Sequence, residues 1–319
     1  MGLDDRSENR SSIESGRHLW LRPDTRRFGR KIVRTIRSLG RPYRNLLGPA
    51  LTPTFLIIGT QKGGTTSLFI YLSGHPGIAA PQQKEVDFFG CPTRHERGSS
   101  FYHSHFPRRR LHAGQLSFEA SPHYLADTRA AHCVHAYLPS MKLIALLRDP
   151  VERAHSAWNM YRRNFQRNRE WFYDWVRRCD ASTPRQSFVP RTSSFGQDFE
   201  LDIRDELDAL EQGRTIEMPV VSAGFYAMQL NPYLDHFPAE QILVERSEDL
   251  LNDPIAVLRR TEEFLGLNPF SWDRSRLRPE YAGTYTRPMP VGARHLLEAV
   301  YEEPNRRLAE ILGTGFGWS

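Results

Sequence analysis

The chain has 319 residues, of which 39% are apolar, 11% aromatic and 25% charged. That composition can close a core, which excludes a wholly disordered chain, and the 22 glycines and 22 prolines follow no period, which excludes collagen-like and low-complexity readings. The net charge of +6 sits in residues 1–50, with 12 Lys/Arg against 5 Asp/Glu, while the remainder carries 31 against 32. A basic nucleic-acid-binding face on the body is therefore not expected.

At the N-terminus, MGLDDRSENR is charged and precedes no apolar h-region, so no secretory leader is expected, and Met1–Arg6 lacks the hydroxyl residue of a myristoylation signal. No run approaches the roughly 18 apolar residues of a membrane span. Cys91, Cys133 and Cys179 are too few and too scattered for a disulfide framework or a zinc quartet, and a cytoplasmic location is the expectation. Phe28, Ile32, Val33, Ile36 and Leu39 recur at near-helical spacing among Arg26, Arg27, Arg30, Lys31, Arg34 and Arg37. This basic amphipathic pattern suits peripheral contact with an anionic membrane surface, or docking of the apolar stripe onto the body. Residues 1–50 are read as an arm and 51–319 as one domain.

Beyond a linker punctuated by Pro42, Gly48, Pro49 and Pro53, Phe55–Ile58 is a continuous β-branched run, the mark of a parallel strand buried on both faces. A loop from Gly59 to Gly64 and a helix from about Thr65 to Leu72 follow. Leu143–Leu147 repeats the strand pattern ahead of another helix, and Gln115–Glu119 and Gln241–Glu245 are weaker strands. Helical spacing covers roughly 198–212, 224–236, 254–265 and 292–312. Alternation of strand and helix implies an α/β fold with a parallel sheet flanked by helices. Arg162–Arg204, with Trp171, Phe172, Tyr173 and Trp175, is expected as a long excursion that walls a cleft or anchors itself to the body.

The strongest motif is Gly59-Thr60-Gln61-Lys62-Gly63-Gly64-Thr65-Thr66-Ser67 between strand and helix. Adjacent glycines let successive N–H groups turn toward an anion, and the helix N-terminus adds partial positive charge. Lys62 supplies a full charge, and Thr65, Thr66 and Ser67 supply hydroxyl donors. A Walker A loop would carry lysine where Thr65 stands, and the second strand ends in Arg148 rather than a Walker B carboxylate. The pattern favours a metal-free phosphate-type ligand, with a P-loop nucleotide kinase or hydrolase as one alternative and a non-catalytic membrane-surface nucleotide-binding protein as another. His103/His105 and His132/His135 have metal-pair spacing without carboxylates or cysteines to complete a site, so no metal is expected.

The second motif is Arg148-Asp149-Pro150-Val151-Glu152-Arg153-Ala154-His155-Ser156. Asp149 is placed to cap a helix opening at Pro150, and Glu152 completes a capping-box pattern. Arg148, at the strand end, and Ser156, two turns along, are expected to face one cleft and hold a second phosphate.

Together these motifs resemble the sulfotransferases that use 3′-phosphoadenosine 5′-phosphosulfate (PAPS), and most of all the heparan sulfate glucosaminyl 3-O- and N-sulfotransferase branch. His75-Pro76, Lys84–Phe89, Phe118–Tyr124 and Glu303–Arg307 extend the likeness over about residues 54–318. The resemblance implies a P-loop-like fold in which Lys62, Gly63, Gly64, Thr65, Thr66 and Ser67 hold the 5′-phosphosulfate. It implies Arg148 and Ser156 at the 3′-phosphate, with Tyr226 and Arg287 as further donor contacts. Glu85 falls at the catalytic base, its pKa expected to rise if Phe88 and Phe89 pack against it, and His123 is the competing base. Relatives in the 3-O branch carry a substrate-contacting lysine where this chain has Ala120, and a cysteine pair that Trp272–Pro290 lacks. The expected reaction is in-line sulfuryl transfer to the hydroxyl or amine of a glycan, glycolipid or small molecule.

Overall fold

A computed structural model of the chain describes residues 48–108, 112, 114–168, 188–189, 194–280 and 288–318. The arm's apolar stripe, Trp171–Trp175, Cys179 and Arg287 lie outside the described residues. The chain divides into Met1–Pro49 and Ala50–Ser319, and the architecture below belongs to the second unit.

Five parallel strands form the main sheet: β1 (Phe55–Gly59), β2 (Ile78–Ala79), β3 (Leu116–Ala120), β4 (Lys142–Leu147) and, after a small two-stranded ribbon of β5 (Phe188–Val189) and β6 (Thr215–Ile216), β7 (Ile242–Arg246). Their order is β2-β3-β1-β4-β7. Phe55 pairs with Phe118 on one side and Lys142 on the other, so β1 is the central strand. From β1 the chain goes to the edge strand β2, comes back to β3 beside β1, and then crosses to the opposite side for β4 and β7. The reversal falls between β1 and β4, the place where an open α/β sheet leaves a crevice beyond its carboxyl ends.

Every residue of β1 is buried. Phe55 and Ile57 share one apolar cluster with Leu68, Leu72, Ile144 and Leu146. Leu56 and Ile58 share the opposite cluster with Leu143, Ala145, Val134 and Tyr233. Helices cover both faces, so the strand reads as an unbroken apolar run rather than an alternation.

Helix α1 (Thr65–Leu72) follows β1 directly, and two short helices, α2 (Pro92–His95) and α3 (Gly98–His103), lead to β3. Then come α4 (Thr128–Tyr137), α5 (Pro150–Arg167), α6 (Phe199–Glu211), α7 (Tyr226–His236), α8 (Ser247–Asn252), α9 (Pro254–Leu265) and α10 (Val291–Leu312). No helix among the described residues is long and apolar enough to cross a membrane.

The start of α5 follows from three residues. Asp149 Oδ1 accepts the N–H groups of Val151 (2.8 Å) and Glu152 (3.2 Å), and Pro150 fills the first helical position. Such a cap is worth about 1 kcal/mol. The capping-box expectation is corrected in its second half. The Asp149 N–H donates to Glu248 (3.0 Å), while Glu152 pairs with Arg294 (2.6 Å), because α8 and α10 bring stronger partners than a return bond within one turn.

Candidate active site

The loop after β1 is built against β4. Thr60 N–H donates to the Leu146 carbonyl (2.8 Å) and Gly63 N–H to the Thr60 carbonyl (3.0 Å). A Cβ on Gly63 would stand 2.5 Å from the Leu146 oxygen, so close backbone approach requires glycine there. Gly64, with φ of 89°, is the N-cap residue of α1 and leaves that helix start without a side-chain cap. Amides at an uncapped N-terminus are the donors an anion uses. Of the hydroxyl residues, Thr65 is buried and Thr66 half-buried. Ser67 Oγ accepts the Glu280 N–H (2.9 Å), tying α1 to the segment that leads toward Arg287.

Lys62 occupies a left-handed conformation, φ 71°. Burial, with Arg148 and Arg163 nearby, brings its ammonium down from 10.5 to about 8. Among the described residues Lys62 has no ion pair. Arg148 leaves the end of β4 and donates to the Lys62 carbonyl (3.3 Å), with Glu152 at 4.0 Å. Glu152 is itself drawn toward Arg294, so it only partly neutralises Arg148. Lys62, Arg148 and Arg163, from the loop after β1, the end of β4 and α5, therefore lie close together with little compensating negative charge, an arrangement suited to a polyanion.

Ser156 lies on α5 and is buried. Tyr226 is also buried, and its hydroxyl donates to the Arg148 carbonyl (2.8 Å). The structure thus sets Tyr226 behind Arg148 as its support, where the resemblance implied a donor contact.

The second half of the site follows β2. Glu85 and Asp87 both take left-handed conformations, with φ of 63° and 50°. Glu85 N–H donates to the Ala120 carbonyl (3.1 Å), and Lys84 Nζ lies 2.5 Å from Glu85 Oε1. The Glu85 side chain is 43% exposed. Burial pushes its carboxyl up, but Lys84, His123 and Arg94 outweigh that and hold it below the ordinary value of 4.5. This corrects the expected rise: the turn at Asp87 sends Phe88 and Phe89 into the core, where their rings pack on Tyr102 at 4.6 and 5.1 Å. Glu85 is accordingly ionised at neutral pH, a state that suits a proton acceptor.

His123 follows β3, and its Nε2 lies 3.3 Å from Gln61 Nε2. Gln61 Oε1 in turn accepts the Tyr161 hydroxyl from α5. The loops after β1 and β3 are thereby joined to α5. Gln61 lies inside the first motif, yet its side chain carried no assignment in the sequence, and Tyr161 gave no signal beyond helical spacing. His103 Nε2 bonds the Tyr137 hydroxyl, and His105 Nδ1 bonds the Phe101 carbonyl (3.0 Å), so both have structural partners. Among the described residues no group of three or more His, Cys, Asp or Glu side chains is placed to hold a metal.

Residues 52–279 match the sulfotransferase domain family. Heparan sulfate glucosamine 3-O-sulfotransferase 6 of Homo sapiens is 29% identical over 300 residues, 88% of this chain and 77% of that protein. The membrane-associated sulfotransferase kil1 of Dictyostelium discoideum is 27% identical over 83% of this chain and 66% of its own. The human bifunctional heparan sulfate N-deacetylase/N-sulfotransferase 3 is 29% identical over 68% of this chain and 22% of that longer protein. Among solved structures, a sulfotransferase from Alicyclobacillus acidocaldarius has 26% identity and a TM-score of 0.59, covering 83% of this chain and 97% of its own. The kinase and non-catalytic alternatives give way to this agreement. With most of its length matched and the same architecture in a solved relative, the chain belongs to the sulfotransferase family.

Proposed function

We propose that this enzyme transfers a sulfuryl group from PAPS to a hydroxyl or amine on a glycan, glycolipid or small molecule. The observation that carries the reading is Lys62, a half-buried ammonium without an ion pair, set beside Arg148 and the uncapped start of α1. Bound PAPS supplies an activated sulfuryl group on a phosphate leaving group. Lys62 and the amides of 64–66 hold the 5′ end and stabilise charge as the leaving oxygen gains it. Arg148, supported by Tyr226, takes the 3′-phosphate together with Ser156. Glu85 accepts the proton of the acceptor through Oε2, while Lys84 engages Oε1. His123, linked to Gln61, borders both loops and orients the acceptor.

The nearly neutral body favours an acceptor less charged than a densely sulfated glycan. The test is calorimetric titration of the full chain with adenosine 3′,5′-bisphosphate and, separately, ADP. Micromolar binding of the first with much weaker binding of the second is the expected result. Equal affinities, or none, overturn the assignment of Arg148 and Ser156.

A further inference from the structure

One buried titratable group has no part in the scheme above. Glu119, on β3, is fully buried. A carboxylate in a core is costly unless donors surround it. Here Oε1 accepts from the Asp87 N–H (3.1 Å), the Ser121 hydroxyl (2.5 Å) and the Tyr124 hydroxyl (2.8 Å), and Oε2 accepts from Tyr102 (2.8 Å). Phe89 N–H donates to that same Tyr124 oxygen (3.2 Å), so a second amide of the turn reaches Glu119 through one hydroxyl.

The turn needs such anchorage. Glu85 and Asp87, both non-glycine residues at positive φ, each cost of order 1 kcal/mol or more unless surrounding structure holds them. Arg94 clasps the turn from outside, donating to the Glu85 carbonyl (3.3 Å) and to Asp87 Oδ2 (3.2 Å). From inside, the Ala120 carbonyl takes the Glu85 N–H, and the Asp87 N–H is shared by Glu119 Oε1 and Ser121 Oγ (3.0 Å), whose own hydroxyl donates to Glu119.

We propose that Glu119 is the positioning residue for Glu85: its buried carboxylate fixes the left-handed turn that presents the base to the acceptor. The role of Glu85 in this statement rests on the proposed sulfuryl transfer; the clamp itself does not.

The clamp also has a titration of its own. Burial pushes the Glu119 carboxyl up to about 7, against the pull of the Ser121, Tyr124 and Tyr102 hydrogen bonds, with the Asp87 charge adding to the rise. The titratable groups that face it are Asp87 from the turn, Tyr102 from α3, Tyr124 after β3, and Tyr137 from α4, whose hydroxyl burial and Glu119 push up to about 12. The cation of the turn, Arg94, pairs with Asp87. Protonation near neutrality thus weakens acceptance from the Asp87 amide while Glu85 stays ionised.

The experiment is amide NMR of the deuterated full chain across the neutral range. The Asp87 and Phe89 signals are expected to shift with a common midpoint at about 7. In Glu119→Gln that midpoint vanishes at both. In Tyr124→Phe it vanishes at Phe89 and persists at Asp87. Absence of the midpoint in the unaltered chain, or its survival in Glu119→Gln, overturns the proposal. If Glu119→Gln does not fold, the unaltered chain and Tyr124→Phe still decide it. Titration with adenosine 3′,5′-bisphosphate runs alongside, with affinity expected unchanged in both variants. Failure of the unaltered chain to bind that probe counts against the sulfuryl-transfer reading, whereas the NMR midpoint alone judges the clamp.

Discussion

Replacing Lys62 with Met removes an ammonium while keeping its aliphatic stem and its backbone, and it should make the unliganded protein more stable. The fall from 10.5 to about 8 measures how much the folded site disfavours the charged lysine. At about 1.4 kcal/mol per pH unit this is about 3 kcal/mol. Because the side chain keeps some contact with solvent, about 1–2 kcal/mol is the expected net gain at pH 7. For a unit of this size that is a rise in Tm of about 2–5 °C. The sign follows from linkage. Below about 8 the lysine is protonated in both folded and unfolded chains and the penalty is complete; between about 8 and 10.5 the folded form loses its proton first and the penalty shrinks. The advantage of Lys62→Met should therefore be constant below about 8 and decline above it. Adenosine 3′,5′-bisphosphate should stabilise the unaltered protein strongly and the variant weakly, since a bound anion relieves the repulsion that the variant no longer has. Thermal unfolding at several pH values, with and without the bisphosphate, reads all of this. Equal Tm values at neutral pH together with equal stabilisation by the ligand would refute the reasoning, because the crowded cation would then have no functional partner.

Arg148→Ala should weaken the bisphosphate by about 2–4 kcal/mol and ADP far less, as calorimetry of the pair will show. Gly63→Ala drives a Cβ to 2.5 Å from the Leu146 oxygen and should cost about 1–3 kcal/mol in thermal unfolding, with bisphosphate binding reduced as well. Glu85→Gln should leave bisphosphate affinity within about twofold and lower single-turnover transfer by about 100-fold or more, with any acceptor that the unaltered enzyme sulfates. If His123→Ala produces that split instead, the base is His123.

Much of the frame is legible in the sequence. Phe55–Ile58 and Leu143–Leu147 announced buried parallel strands because both faces of each are covered, which leaves an unbroken apolar run. The start of α5 was legible in Asp149-Pro150, since a cap and its helix are neighbours in sequence. The loop 59–67, with its glycines and Lys62, was legible as the link between a strand and a helix, and that setting is local too. Each of these rests on residues within one or two turns of each other.

What escaped the sequence lies in contacts between distant segments. Ser67 meets Glu280, 213 positions away, and Tyr161 reaches Gln61 across 100. Tyr226, at the start of α7, donates its hydroxyl to the Arg148 carbonyl across 78 positions. The Glu85 environment differs from the sequence expectation for the same reason. Adjacency to Phe88 and Phe89 suggested an apolar setting, but two left-handed residues turn those rings inward and leave Glu85 among Lys84, His123 and Arg94. Short-range periodicity and hydrogen bonding suffice for the strands, the loop between β1 and α1 and the cap of α5, so these are written in the residues themselves. The charge state of Glu85, the crowding of Lys62 by Arg148 and Arg163, and the burial of Glu119 behind the turn arise from long-range packing. Those depend on which charges and dipoles the fold brings within a few ångströms, and on how much water it leaves between them.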